Sequence, residues 1–175
     1  MEALIIVLLL ASLLGVWILS VRRRLEIQEN NIRNAMNQIQ VHLTAEREAL
    51  SALEELLEQM PETGTRQRGK QKQQSEMWRN DQGELQPEGA ARQQRELLRL
   101  QGEIGNLSEQ MPLLQAQETY QKYWKAAKSY AHMVETSSRI YNDSVECYNH
   151  TIGKLPNRIA AWVCGFRPRK TIDIM

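Results

Sequence analysis

From Ala3 to Val21 the sequence reads ALIIVLLLASLLGVWILSV, nineteen residues without a charge. At about 1.5 Å per residue this run makes a helix of roughly 28 Å, close to the thickness of the bilayer's hydrocarbon layer. A cleaved secretory signal calls for a basic n-region, a shorter apolar core and a small-x-small exit. Here Met1-Glu2 precedes the run, which contains Trp17 and is followed by Arg22-Arg23-Arg24. The expectation is an uncleaved transmembrane anchor, residues 1–21, with lipid as the partner of residues 3–21. Its basic side chains all follow it, so the positive-inside rule places the chain after Arg22 in the cytoplasm.

The other 3–4 spacings also point to helices. Ile32, Met36, Ile39, Leu43, Leu50, Leu53, Leu57 and Met60 form one seam, interrupted only where Glu46 would continue it. No Pro or Gly falls between Val16 and Met60, so anchor and first bundle helix (22–60) are expected to be one rod. Its part beyond the anchor would measure roughly 58 Å. Pro61 disfavours helical geometry in the residue before it and stops the rod.

Residues 61–89 change character. The stretch is Gln-rich, of mixed charge, and holds Gly64, Gly69, Gly83, Pro87 and Gly89 without a repeating apolar face. It is expected to be a polar loop. Met77-Trp78 is its one apolar point. Arg66, Arg68, Lys70 and Lys72 could meet phosphate, but Glu62, Glu76 and Asp81 balance them, which favours a solvated linker. The whole chain, 175 residues, carries a net charge of only +1, so composition gives no reason to expect a nucleic-acid partner.

A second helix is predicted from about Ala90 to Met111, with Leu97, Leu100, Ile104, Leu107 and Met111 on its seam and Pro112 at its boundary. A third carries Tyr120, Trp124, Ala127, Ala131, Val134, Ser138, Tyr141, Val145, Tyr148 and Ile152. Beside that seam lies a second stripe: Tyr123, Ala126, Tyr130, Met133, Ile140 and Cys147. Two adjacent apolar stripes predict two packing neighbours. Leu155-Pro156 ends the helix, and Asn157 is placed to cap a short final one through Gly165.

Within the third helix, "YNDSVECYNHT" (141–151) allows three readings. Asn142 and Asn149 each open an Asn-x-Ser/Thr triplet, which would suit glycosylation. Cys147 and His150 lie one turn apart, which could be half a metal site, yet zinc wants about four ligands and no CxxC or HExxH is present. The period decides for the third reading. Tyr141, Val145, Tyr148 and Ile152 step by four, three and four along one buried face, and each Asn flanks it, a heptad echo. The Tyr and Asn groups are expected to close hydrogen bonds across the bundle. The two cysteines, Cys147 and Cys164, are expected to be free thiols. No catalytic, cofactor or metal residues are assigned: Asp and Glu appear spread over solvent faces, and no nucleophile–base constellation can be named.

In "RIAAWVCGFRPRKTIDIM" (158–175), Ile159, Trp162, Val163 and Phe166 form a short apolar face among Arg158, Arg167, Arg169 and Lys170. Either it caps the bundle end, or Trp162, Phe166, Arg167 and Arg169 form a contact tip for a partner or lipid.

The segment from Tyr141 to Phe166 resembles the C-terminal signature of the LemA family of bacterial membrane proteins. The matching positions are Tyr141, Asn142, Val145, Tyr148, Asn149, Pro156, Gly165 and Phe166. "NNIRNAMNQIQVHL" resembles the family's first soluble helix through Asn31, Ala35, Gln38, Ile39, Val41 and Leu43. Met36, Gln40 and Leu155 depart from the family's usual Trp, Asp and Phe, and its Pro-Asn-Leu segment is absent, which marks a divergent member. The resemblance implies an antiparallel helical bundle on an N-terminal anchor, and no catalytic activity.

The expected fold is all-α: a transmembrane helix continuing into an antiparallel bundle of three long helices, with residues 90–175 supplying the later ones and a short C-terminal helix. The expected function is that of a non-enzymatic scaffold at the bacterial inner membrane, without cofactor, presenting a surface for an unidentified protein or for self-association. The alternative is an envelope stress or signalling accessory with its bundle in the periplasm. If successive helices alternate direction, the Trp162–Phe166 tip lies far from the anchor.

Overall fold

The computed structural model describes residues 1–59 and 86–173. Met60, the Met60-Pro61 stop, the basic stretch from Arg66 to Lys72, and Met77-Trp78 lie outside the described residues, as does the polar loop apart from residues 86–89. Among the described residues the fold is all-α, with five helices: α1 (Glu2–Glu58), α2 (Pro87–Glu109), α3 (Pro112–Gln115), α4 (Glu118–Gly153) and α5 (Asn157–Val163).

Anchor and first bundle helix are one uninterrupted α1. In its first part the side chains are apolar on every side and exposed, Leu4 through Leu14 among them, and almost none of this stretch is buried. A helix apolar all round suits lipid rather than water. The helix is long and apolar enough to cross a membrane once, as expected of a single-pass membrane protein. From Val21 onward one face closes: Leu25, Ile32, Met36, Ile39, Leu43, Leu50, Leu53 and Leu57 are all buried.

The chain divides into two compact units, Met1–Ala35 with Ile140–Thr171, and Met36–Arg139 with Ile172–Met175. In the first, α4 comes down antiparallel to α1. The Gln28 amide donates to Thr151 Oγ1 (3.2 Å) and to Cys147 Sγ (3.4 Å), while Asn31, further along α1, shares a groove with Ile140, earlier on α4. This overturns the alternating-direction expectation, since the end of α4 lies beside the membrane-proximal turns of α1. Alternation holds for short connections, and the long stretch between Glu58 and Pro87 leaves direction unconstrained.

In the second unit α2 and α4 face each other across α3. Pro112 opens this four-residue helix, whose Leu114 is fully buried. A Cβ on Gly105 of α2 would meet the Trp124 ring of α4 at 3.2 Å, so the bare backbone there admits the indole. Trp124 also stacks on Tyr120, with centroids 6.0 Å apart, and lies under the Lys128 ammonium at 5.0 Å.

Two boundaries move. α2 starts at Pro87 rather than Ala90, because proline suits the first helical position, where its missing N–H has no intrahelical partner to lose. Asn157 is the first residue of α5 rather than its cap: the N-cap is Pro156, without a side-chain capping bond. The Leu155-Pro156 peptide is cis.

Candidate functional site

Three of the four residues of α4's Tyr-Asn repeat, Tyr141, Tyr148 and Asn149, bind the chain's own C-terminal segment. Tyr141, Val145, Tyr148 and Ile152 all sit on the buried face, as their spacing predicts. Past α5 the backbone leaves regular structure and runs back along α4. Tyr148 Oη donates to the Arg167 carbonyl (3.1 Å), and Tyr141 Oη to the Lys170 carbonyl (3.0 Å). Asn149 Nδ2 donates to the Arg169 carbonyl (2.8 Å), and the Arg169 N–H donates back to Asn149 Oδ1 (2.9 Å). The Arg169 guanidinium then pairs with Glu29 of α1. The bonds join α4 to a strand-like tail rather than to a neighbouring helix. Each is worth about 1 kcal/mol net, and a buried hydroxyl left unpaired would cost about 1–3 kcal/mol.

The electrostatics follow this arrangement. Burial, and after it the nearby Glu29 carboxylate, raises the Tyr148 phenol, while Arg169 pulls it the other way. The hydrogen bond to Glu29 is the main cause of the raised Arg169 pKa.

The turn that returns the tail depends on Gly165. Its φ of +79° lies in the left-handed region, which glycine enters without a Cβ penalty. Phe166 N–H bonds to the Ala161 carbonyl (3.0 Å) and Gly165 N–H to that of Trp162 (3.2 Å), closing α5 with a Schellman motif. Gly165 and Phe166 are thus read for the turn they make.

Cys147 and His150 do not converge on a site. Both are exposed, Cys147 and Cys164 are free thiols, and no cluster of three or more His, Cys, Asp or Glu able to hold a metal occurs among the described residues.

Sequence reasoning missed Glu46. It occupies the seam position where the apolar spacing breaks, and it is fully buried rather than solvated. Burial raises its carboxyl pKa to about 7, with a smaller opposing pull from the Gln94 amide of α2. Neither carboxylate oxygen has a hydrogen bond of ordinary length, and Gln94 Oε1 is likewise buried without one. A protonated Glu46 facing the Gln94 amide can both donate and accept, which an ionised one cannot.

The second stripe of α4 is only partly covered. Tyr123, Ala126 and Tyr130 are half-buried, whereas Met133, Ile140 and Cys147 are exposed. Ile140 and Cys147 line a shallow groove of about 280 Å³ with Gln28, Asn31, Asp143 and Ser144. Among the described residues, nothing buries the Met133, Ile140 and Cys147 part of the stripe.

A sequence model of the LemA family matches residues 18–174, nearly the whole chain. The chain belongs to the LemA family. No curated protein and no solved structure matches significantly, so the family is what the comparisons supply.

In this LemA chain the four residues of the expected contact tip part company. Arg169 is held by Asn149 and Glu29, and Phe166 is half-buried in the turn. Trp162 and Arg167 remain exposed. α5 buries Ala160 and Ala161, while Ile159, Trp162 and Val163 are 59%, 81% and 60% exposed. Small side chains let α5 lie close to its support, and the large ones face out. Of the juxtamembrane arginines, Arg22 pairs with Glu26 at 2.8 Å.

Proposed function

We propose that this LemA-family protein is a non-enzymatic scaffold, anchored in the bacterial inner membrane with its bundle in the cytoplasm, that self-associates through the open stripe of α4. The observation that carries the reading is the division of labour on α4. Tyr141, Tyr148 and Asn149 are engaged in holding the chain's own tail, a structural job. The adjacent stripe, Met133, Ile140 and Cys147, repeats every seven residues and lies exposed. That is the spacing of a helix seam awaiting a partner helix. A membrane anchor confines copies to two dimensions, where weak lateral contacts count for more.

Cys147 makes the test direct. Mild oxidation of native membranes containing the Cys164→Ser protein is expected to give a disulfide-linked dimer, lost when Cys147→Ser is added. A protein that stays monomeric under oxidation sinks self-association, and an adduct of another size would redirect the scaffold to a different protein. A reporter fused after Met175 tests the side of the membrane: periplasmic activity would favour the envelope-accessory alternative.

A further inference from the structure

We propose that α5 is a second membrane contact, a lipid-facing foot that seats Leu155, Ile159, Trp162 and Val163 in the anionic headgroup layer of the bilayer its own anchor spans. The proposal rests on the single-pass reading of α1.

The position of α5 follows from the packing around the start of the bundle. Thr151 lies beside Gln28, and from there α1 runs back six residues to Arg22, about 9 Å nearer the span. At that level Val21 and Leu25 are buried, although the apolar residues before them are exposed. Within the same unit, Ile152, Ala160 and Ala161 are the buried side chains at the end of α4 and in α5. Cys164, just past α5, lies near enough to Arg22 to interact with it electrostatically. These observations set α5 against α1 where the uncharged run ends.

That level is where the hydrocarbon gives way to headgroups. Ile159, Trp162 and Val163 of α5 are all exposed, and Leu155, in the turn just before the helix, is 74% exposed. In water four exposed large apolar side chains on a short helix and the turn before it are unfavourable. At the interface they are not, and tryptophan in particular is enriched there. Apart from the Arg22–Glu26 pair, the charge around these side chains is basic. Arg23, Arg24, Lys154, Arg158 and Arg167 are exposed, and none of them pairs with a carboxylate among the described residues. Clustered basic side chains beside an apolar face attract anionic lipid.

The test uses the full chain in vesicles of mixed zwitterionic and anionic phospholipid, brominated near the headgroup end of the acyl chains. One variant keeps only Trp162 (Trp17→Phe, Trp78→Phe, Trp124→Phe), and a second keeps only Trp17. Loss of Trp162 emission, weaker when the anionic lipid is replaced by zwitterionic, is the expected result. Quenched Trp17 with unquenched Trp162 would overturn the foot and leave the anchor standing. If neither is quenched, the anchor reading falls and the foot with it. Trp162→Phe alone, in an otherwise unaltered chain, provides a second measurement: it should reduce the quenchable part of the emission to what Trp17 contributes, and an unchanged quenchable part overturns the proposal.

Discussion

Asn149 holds Arg169 by both of its main-chain polar groups, the carbonyl at 2.8 Å and the N–H at 2.9 Å, so one side chain does what a paired strand would do. The tail has no sheet to join, and this amide supplies its two backbone partners.

Asn149→Ala removes both bonds together. We expect a loss of about 1–3 kcal/mol and a freed tail. Limited trypsin digestion reads it: cleavage after Arg169 and Lys170 should accelerate in the variant. An unchanged rate would mean that the tail is held by other contacts.

Tyr148→Phe keeps the ring in its buried site and deletes only the donor to the Arg167 carbonyl. The expected cost is about 1 kcal/mol, seen as a modest drop in the thermal midpoint. Tyr141→Phe should behave alike through Lys170.

Glu46 makes stability depend on pH. Its folded pKa, about 7, lies above the ordinary 4.5. Below about pH 4.5 it is protonated folded or unfolded, and its contribution is fully present. As pH rises toward 7 the folded state keeps a proton that the unfolded chain releases, so stability falls, by on the order of 3 kcal/mol, and then levels off. Glu46→Gln should flatten that slope and leave the variant more stable than the parent at alkaline pH. Thermal unfolding across about pH 5 to 8 is the measurement. A slope that persists in the variant would assign it to other groups.

Gly102 and Gly105 lie on the same helix in different surroundings. A Cβ on Gly102 meets nothing within 4 Å, so Gly102→Ala should stabilise α2 by about 0.5–1 kcal/mol. At Gly105 the Trp124 ring stands 3.2 Å from the new Cβ and must shift, so Gly105→Ala should gain less. Urea unfolding compares the two, and equal gains would show that the indole moves freely.

The period of the sequence revealed which face of each long helix is buried, and much of what it missed has a physical reason. Tyr141, Val145, Tyr148 and Ile152 were placed on one face by spacing alone, but their partners were not visible, because residues 166–173 form no helix and carry no period. Glu46 sat on the seam by phase, and only the presumption that carboxylates face water hid it. Gln94, polar at a buried position of the facing helix, was the matching clue. On α5 two faces compete, and spacing cannot tell that Ala160 and Ala161 pack while Trp162 does not; that depends on how closely the short helix approaches its support. The direction of α4 was lost to the length of chain between α1 and α2.

The unbroken α1 has one more consequence. Because no kink or cap separates the span from Leu25 and Ile32, helical phase is carried across the bilayer surface. Each residue inserted after Arg24 would turn that face by about 100° and raise it by about 1.5 Å. One insertion would swing Leu25 and Ile32 around relative to the lipid-embedded turns, and seven would bring them nearly back. The azimuth of the bundle is thus tied to that of the anchor, and rotation of one turns the other.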